Sequence, residues 1–146
     1  MNRFTQRVIL SLIVLTSLIG CAHNIITDDD AAKTVTSFHD ALKSGDRDKV
    51  ISLLSKDVQI YEGGEVERSA KEYAGHHLDS DIGFMSKMKI DLIEHQVKIF
   101  GDTAISTSRS KIKGIYKKKK IDIQSMETII LRKIEGTWKI INIHWS

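Results

Sequence analysis

The sequence predicts an α+β fold, with helices first and a long antiparallel sheet afterwards. Between residues 28 and 55 apolar side chains recur every three to four positions; after Met88 the period falls to two and β-branched residues dominate. The stretches of the second half are divided by short turns, which leaves no room for crossover helices and makes neighbouring strands antiparallel.

Taken in order, Asp28 to Ser44 reads as a helix, with Thr27 or Asp28 to cap it, three acidic residues at its positive end and Gly45 to stop it. Ala31, Val35, Phe38 and Leu42 form its apolar face. Asp46 to Ser55 repeats the pattern in shorter form around Val50, Leu53 and Leu54. Val58 to Tyr61 is a short strand ended by Gly63-Gly64, and a third helical region runs from Ser69 to about His77, resuming from Asp79 to Lys87. Lys89–Phe100, Thr103–Tyr116, Ile121–Lys133 and Thr137–Trp145 are the strands of the meander. Gly101-Asp102 and Glu135-Gly136 are short enough for hairpin turns.

What precedes residue 28 is of another kind. Residues 1–20 carry Arg3 and Arg7, no acidic residue, and an apolar run from Val8 to Ile19; Gly20 then precedes Cys21, the sole cysteine. That order is an export signal, and Leu18-Ile19-Gly20-Cys21 resembles the lipobox of bacterial lipoproteins. The resemblance implies cleavage before Cys21 and a lipid-anchored mature chain, with residues 21–27 as a tether and one domain from 28 to 146. The apolar run is too short to cross a bilayer by itself. Ala22, where an aspartate would retain such a protein in the inner membrane, points to the outer membrane, facing the periplasm. Losing the leader removes two arginines and nothing acidic, so the net charge falls from +3 to +1, which is no nucleic-acid signature. With Cys21 lipidated no thiol remains for a disulfide, and a packed core must supply the stability.

Phe38-His39, Ala41-Leu42, Ser44-Gly45-Asp46, Leu53-Leu54, Asp57-Val58 and Tyr61-Glu62-Gly63-Gly64, followed by Gly136-Thr137-Trp138-Lys139-Ile140 and His144-Trp145-Ser146, resemble the nuclear-transport-factor-2-like superfamily. Within it the chain is most similar to SnoaL-like bacterial domains. The resemblance spans Asp28 to Ser146. It implies a cone-shaped, cystatin-like roll in which N-terminal helices pack on a curved antiparallel sheet, with a pocket at the wide end and homodimers through the sheet. The same cone serves enzymes, assembly domains and transport factors, so function has to be read from individual side chains.

His77 and Asp81 stand four apart on the third helical region and share a face if that helix is continuous. An imidazole beside a carboxylate can move protons or hold a metal; His144 and Glu127, on later strands, could complete a set. Neither a His-Glu-x-x-His run nor paired cysteines is present, so His77, Asp81 and His144 are weak metal candidates and no cofactor is expected. Tyr61 and Glu62 could stabilise an oxyanion or shuttle a proton, or simply pack at a strand end. Glu127 lies among Ile123, Ile129 and Leu131: turned inward it would have a raised pKa, turned to the rim it would pair with a basic residue. His95 reads as a satisfied histidine among Ile93, Val97 and Ile99. Simple alternation puts Trp138, Ile140, Asn142 and His144 on one side of the last strand and Lys139, Ile141, Ile143 and Trp145 on the other. Lys117 to Lys120 reads as a solvated turn; contact with anionic lipid finds no interleaved aromatic residues.

These readings converge on an envelope lipoprotein that binds a small molecule or docks a partner without catalysis. The alternatives are a lyase, isomerase or cyclase using His77, Asp81, Tyr61, Glu127 or His144, and envelope metal binding.

Overall fold

The computed structural model describes residues 28–146; the predicted leader, Cys21 and the predicted tether lie outside the described residues. α1 (Asp28–Ser44) follows from its apolar spacing, and Ala31, Val35, Phe38 and Leu42 are all buried. Gly45 ends it at φ +80°, a conformation that costs glycine nothing, and the Asp46 N–H donates to Ala41 O at 2.9 Å. The Asp46 carboxylate then caps α2 (Arg47–Leu53), accepting from the Lys49 N–H at 3.0 Å.

α2 passes without a linker into β1 (Leu54–Glu62), which starts four residues earlier than the sequence suggests. The cause is tertiary: Leu54 is buried opposite Ile140 and so belongs to the sheet. Gly63 and Gly64, both at positive φ, do more than end that strand. They turn it back into β2 (Glu65–Glu67), a strand the sequence reading missed. The third helical region divides into α3 (Ala70–Gly75), capped by the Ser69 hydroxyl on the Glu72 N–H, and α4 (Leu78–Met85), with His77 at its N-cap.

The meander comprises β3 (Met88–Phe100), β4 (Thr103–Tyr116), β5 (Lys119–Ile134) and β6 (Thr137–Trp145), joined by three two-residue turns. Lys117 and Lys118 form the middle turn at φ 46° and 64°, while Lys119 and Lys120 belong to β5. The sheet order is β2-β1-β6-β5-β4-β3. Every neighbouring pair is antiparallel except β1 with β6, so the sheet is mixed. Those two strands are separated by most of the chain, and no tight turn dictates their relative direction.

Two irregularities set which side chains face the helices. Ile93 has no partner between Leu92↔Ser110 and Glu94↔Arg109, and Ile141 none between Ile140↔Leu131 and Asn142↔Ile130. An extra residue reverses the alternation beyond it. In β6 the helix-facing residues are therefore Trp138, Ile140, Ile143 and Trp145, with Asn142 and His144 on the opposite face, which corrects the simple alternation. In β3 the bulge puts Leu92, not Ile93, on the face of His95.

The core lies between that inner face and the helices: Val35, Phe38 and Leu42 of α1, Val50 of α2, Val58 and Ile60 of β1, Tyr73 of α3, Leu78 of α4, Ile129 and Leu131 of β5, and Ile140 and Ile143 of β6. Gly114 in β4 admits no side chain, because a Cβ there would stand 2.6 Å from Lys87 O. Among the described residues no helix is long and apolar enough to cross a membrane.

Candidate functional site

Where β3, β4 and β5 curve away from α1 and α4, the inner face encloses a cavity of about 360 Å³. Val35, Leu42, Phe84, Met85, Ile90, Ile112 and Trp145 give it apolar walls. A polar stripe crosses its floor: Ser108 and Ser110 of β4 stand opposite Glu127 and Ser125 of β5, with His39 of α1 above them. Along a strand the side chains of one face recur every second residue, so Ser110 and Ser125 occupy the rung next to Ser108 and Glu127.

Glu127 is 8% exposed. Its Oε2 accepts from Trp145 Nε1 at 2.7 Å and lies 2.8 Å from His39 Nε2, and its Oε1 accepts from the Ser108 hydroxyl at 3.4 Å. Burial pushes the carboxyl pKa up, but the His39, Trp145 and Ser108 bonds outweigh it and hold the pKa below the ordinary value of 4.5. The inward carboxyl was expected to be raised; it is lowered because three donors converge on it. An ionised carboxylate only accepts, so His39 donates through Nε2 and its Nδ1 has no partner among the described residues. Phe38 supports this arrangement from below, its ring 6.4 Å from that of Trp145 and nearly parallel to it.

A second polar group stands at the α4 side of the cavity. The Tyr73 hydroxyl donates to Asp81 Oδ2 at 2.7 Å. Burial raises the Asp81 pKa, opposed by that bond and by nearby His77; burial of the cavity-facing carboxyl and repulsion from Asp81 raise Glu62. Tyr73 itself is pushed far above the phenol range by burial and by Asp81, so it acts only as a donor. Asp81→Asn keeps an acceptor for Tyr73 and removes a charge that the folded state disfavours. We expect its melting temperature at pH 7 to equal or exceed that of the wild type, with the two converging near pH 4, as thermal scans at the two pH values would register.

The remaining candidates are dispersed. His77 bonds Glu67 through Nδ1 and lies 3.1 Å from Glu65 through Nε2, so carboxylates occupy both ring nitrogens and pin the α3–α4 junction to β2. The Glu67 bond, against a smaller opposing effect of desolvation, raises the His77 pKa. His77 and Asp81 do share a helical frame, through the Asp81 N–H to His77 O bond at 3.0 Å. Tyr61 and His144 are register neighbours across β1 and β6, but on the outer face, away from the cavity. His77, Asp81 and His144 are therefore not brought together, and no three His, Cys, Asp or Glu side chains among the described residues are grouped to hold a metal ion. His95 lines the cavity with its Nε2 2.9 Å from Ser106 Oγ.

His39 is not among the residues that sequence patterning singles out for chemistry. Its sequence signal was its place four after Val35 and three before Leu42, which sets it at the edge of the buried stripe of α1.

An α+β roll that closes an apolar, polar-floored cavity between helices and a curved sheet defines a class of single-domain proteins. The chain belongs to the SnoaL-like domain family, whose model matches residues 31–146. A Shewanella frigidimarina NCIMB 400 protein, provisionally called a ketosteroid isomerase, is 49% identical over 82% of this chain and 97% of its own, with a TM-score of 0.78. A Xanthomonas campestris protein, provisionally called a calcium/calmodulin-dependent protein kinase II association domain, is 26% identical over 79% and 83%, with a TM-score of 0.64. A Novosphingobium aromaticivorans nuclear-transport-factor-2-like protein with a cystatin-like fold shares the architecture at 16% identity, over 80% and 79% of the two chains and with a TM-score of 0.66. No curated protein matches this sequence.

Proposed function

We propose that this is an envelope lipoprotein whose domain holds a small, mainly apolar molecule in the cavity, with its polar group against His39 and the serines. The observation that carries this reading is an ionised carboxylate, Glu127, buried in an apolar cavity and fully engaged in presenting His39. Pockets that select ligands have this composition: apolar walls and a few fixed polar groups. Two tryptophans, Trp138 and Trp145, are present, and only Trp145 lines the cavity. In a Trp138→Phe chain its fluorescence should quench saturably with 2-naphthol, a ring compound with one hydroxyl, and the added change His39→Ala should weaken that binding. Quenching that stays linear in probe concentration, as for collisions in solution, would speak against an accessible cavity.

A second reading is proton transfer on a carbonyl compound. It is favoured by Asp81 and Glu62, whose raised pKa values suit a base or a neutral carboxyl donor beside the same cavity. The ketosteroid-isomerase designation of the Shewanella relative gives it weight. Ketone probes in heavy water distinguish the two: exchange beside the carbonyl that disappears in Asp81→Asn supports catalysis, whereas saturable binding without exchange supports a carrier.

The lipid anchor rests on the Leu18-Ile19-Gly20-Cys21 run. Cys21→Ser should leave the chain unprocessed and without its acyl groups, detectable as a change in intact mass. The Xanthomonas likeness to an association domain supports a homo-oligomer.

A further inference from the structure

We propose that the tip of the β4–β5 hairpin is a docking surface for an anionic phospholipid bilayer. Six lysines gather there. Lys113, Lys118 and Lys120 line one shallow hollow, Lys87 and Lys117 lie 5.5 and 5.1 Å from the centre of the Tyr116 ring, and Lys119 continues the run. The acid in that hollow, Asp122, already faces Lys111 and Lys113 at 3.9 and 3.7 Å. A local cationic excess therefore stands on a domain whose overall charge is nearly balanced, and complementarity calls for an anionic partner.

Ile115, 67% exposed, lines the hollow with Lys113, Lys118 and Lys120, directly opposite Lys120 in the β4–β5 register. An exposed branched alkyl group amid lysines fits the boundary between headgroups and acyl chains, where apolar burial adds to charge attraction. A nucleic acid would make no use of Ile115. The one aromatic ring of the tip, Tyr116, is occupied by its lysines and by a T-shaped contact with Phe84.

The bland account of such lysines is protection of an exposed sheet edge. β5 pairs with β6 only from Glu127 onward, so among the described residues Lys119–Ser125 has an open edge. Lysines on that edge strand would suffice for protection. Lys117 and Lys118 lie in the turn, where both hold positive φ that glycine or asparagine adopts more readily, and they shield no edge. Edge protection leaves their charge unexplained.

The chain from residue 22 is suited to the test without its lipid. Among the described residues the buried core cluster falls between Ala31 and Ile143, and the Shewanella structure is covered over 97% of its length by the matching part of this chain. It should sediment with phosphatidylcholine vesicles carrying about 30% phosphatidylglycerol and not with pure phosphatidylcholine, and release as salt rises toward about 0.5 M. The variant K117Q/K118Q/K119Q/K120Q should bind those vesicles at least about tenfold more weakly. Ile115→Ser should weaken binding while leaving its salt dependence in place. K49Q/K56Q/K71Q/K98Q, with the same change in net charge on α2, β1, α3 and the far end of β3, should bind as the wild type does. Wild-type indifference to anionic vesicles, equal binding by the tip variant, equal loss in the control variant, or a preference for duplex DNA over vesicles would each overturn the proposal.

Discussion

Glu127→Ala should unfold at much lower denaturant concentration than the wild type, with a loss of about 3 kcal/mol. The carboxylate is the acceptor for Trp145 Nε1 and for His39, and its removal leaves both donors facing an apolar cavity. Glu127→Gln keeps one oxygen and should lose roughly half as much. The loss must also depend on pH with a definite sign. The folded-state pKa of Glu127 lies below its unfolded value, so its contribution is complete above the unfolded pKa and disappears as pH falls through the folded one. Asp81 and Glu62 act in the opposite sense: their raised values mean that the folded state gains as they take up protons. Wild-type stability should therefore hold or rise slightly on mild acidification and then fall once Glu127 itself is protonated. The Glu127 variants should lack the final descent, and equilibrium urea curves at a series of pH values would reveal it.

Phe38→Ala should be the most damaging apolar truncation, costing about 4 kcal/mol. Phe38 is wholly buried where α1 meets the sheet, and it stacks on Trp145 beneath the Glu127 bond. Removing the ring opens a void in the core and withdraws the support of Trp145 together. Phe38→Leu, which retains most of the volume, should keep the fold at a cost of about 1.5 kcal/mol while shifting Trp145 emission. A Phe38→Ala protein as stable as the wild type would mean that the helix–sheet contact around α1 is not the centre of the core.

Much of this fold was legible because local and tertiary preferences agree. The Asp28–Ser44 helix has its apolar stripe and its terminating glycine, and Thr103–Tyr116 and Thr137–Trp145 have β-branched alternation bounded by turn residues. Disagreements arose where tertiary pairing decided the outcome: Leu54 continues a helical pattern but pairs with Ile140 of β6, and Gly63-Gly64 both ends one strand and starts another. The site was less legible for a related reason. Strand alternation tells which residues share a face only while the register is unbroken, and the extra residues Ile93 and Ile141 each reverse it. His144, attractive as chemistry, thereby faces outward, beside its register partner Tyr61 of β1. Glu127 was found because it stood among isoleucines, whereas its partner lies 88 positions away on α1, and no spacing rule joins His39 to it. The pKa of Glu127 could not be given the correct sign until those donors were located.

The central claim, that the His39–Glu127 cavity holds a small molecule, is tested most directly by native mass spectrometry of the chain gently purified from its own envelopes, compared with its denatured mass. A copurifying small-molecule mass that is retained in Tyr61→Phe and lost in His39→Ala is the predicted result. A chain that carries no added mass, or one whose added mass is indifferent to His39, would contradict it.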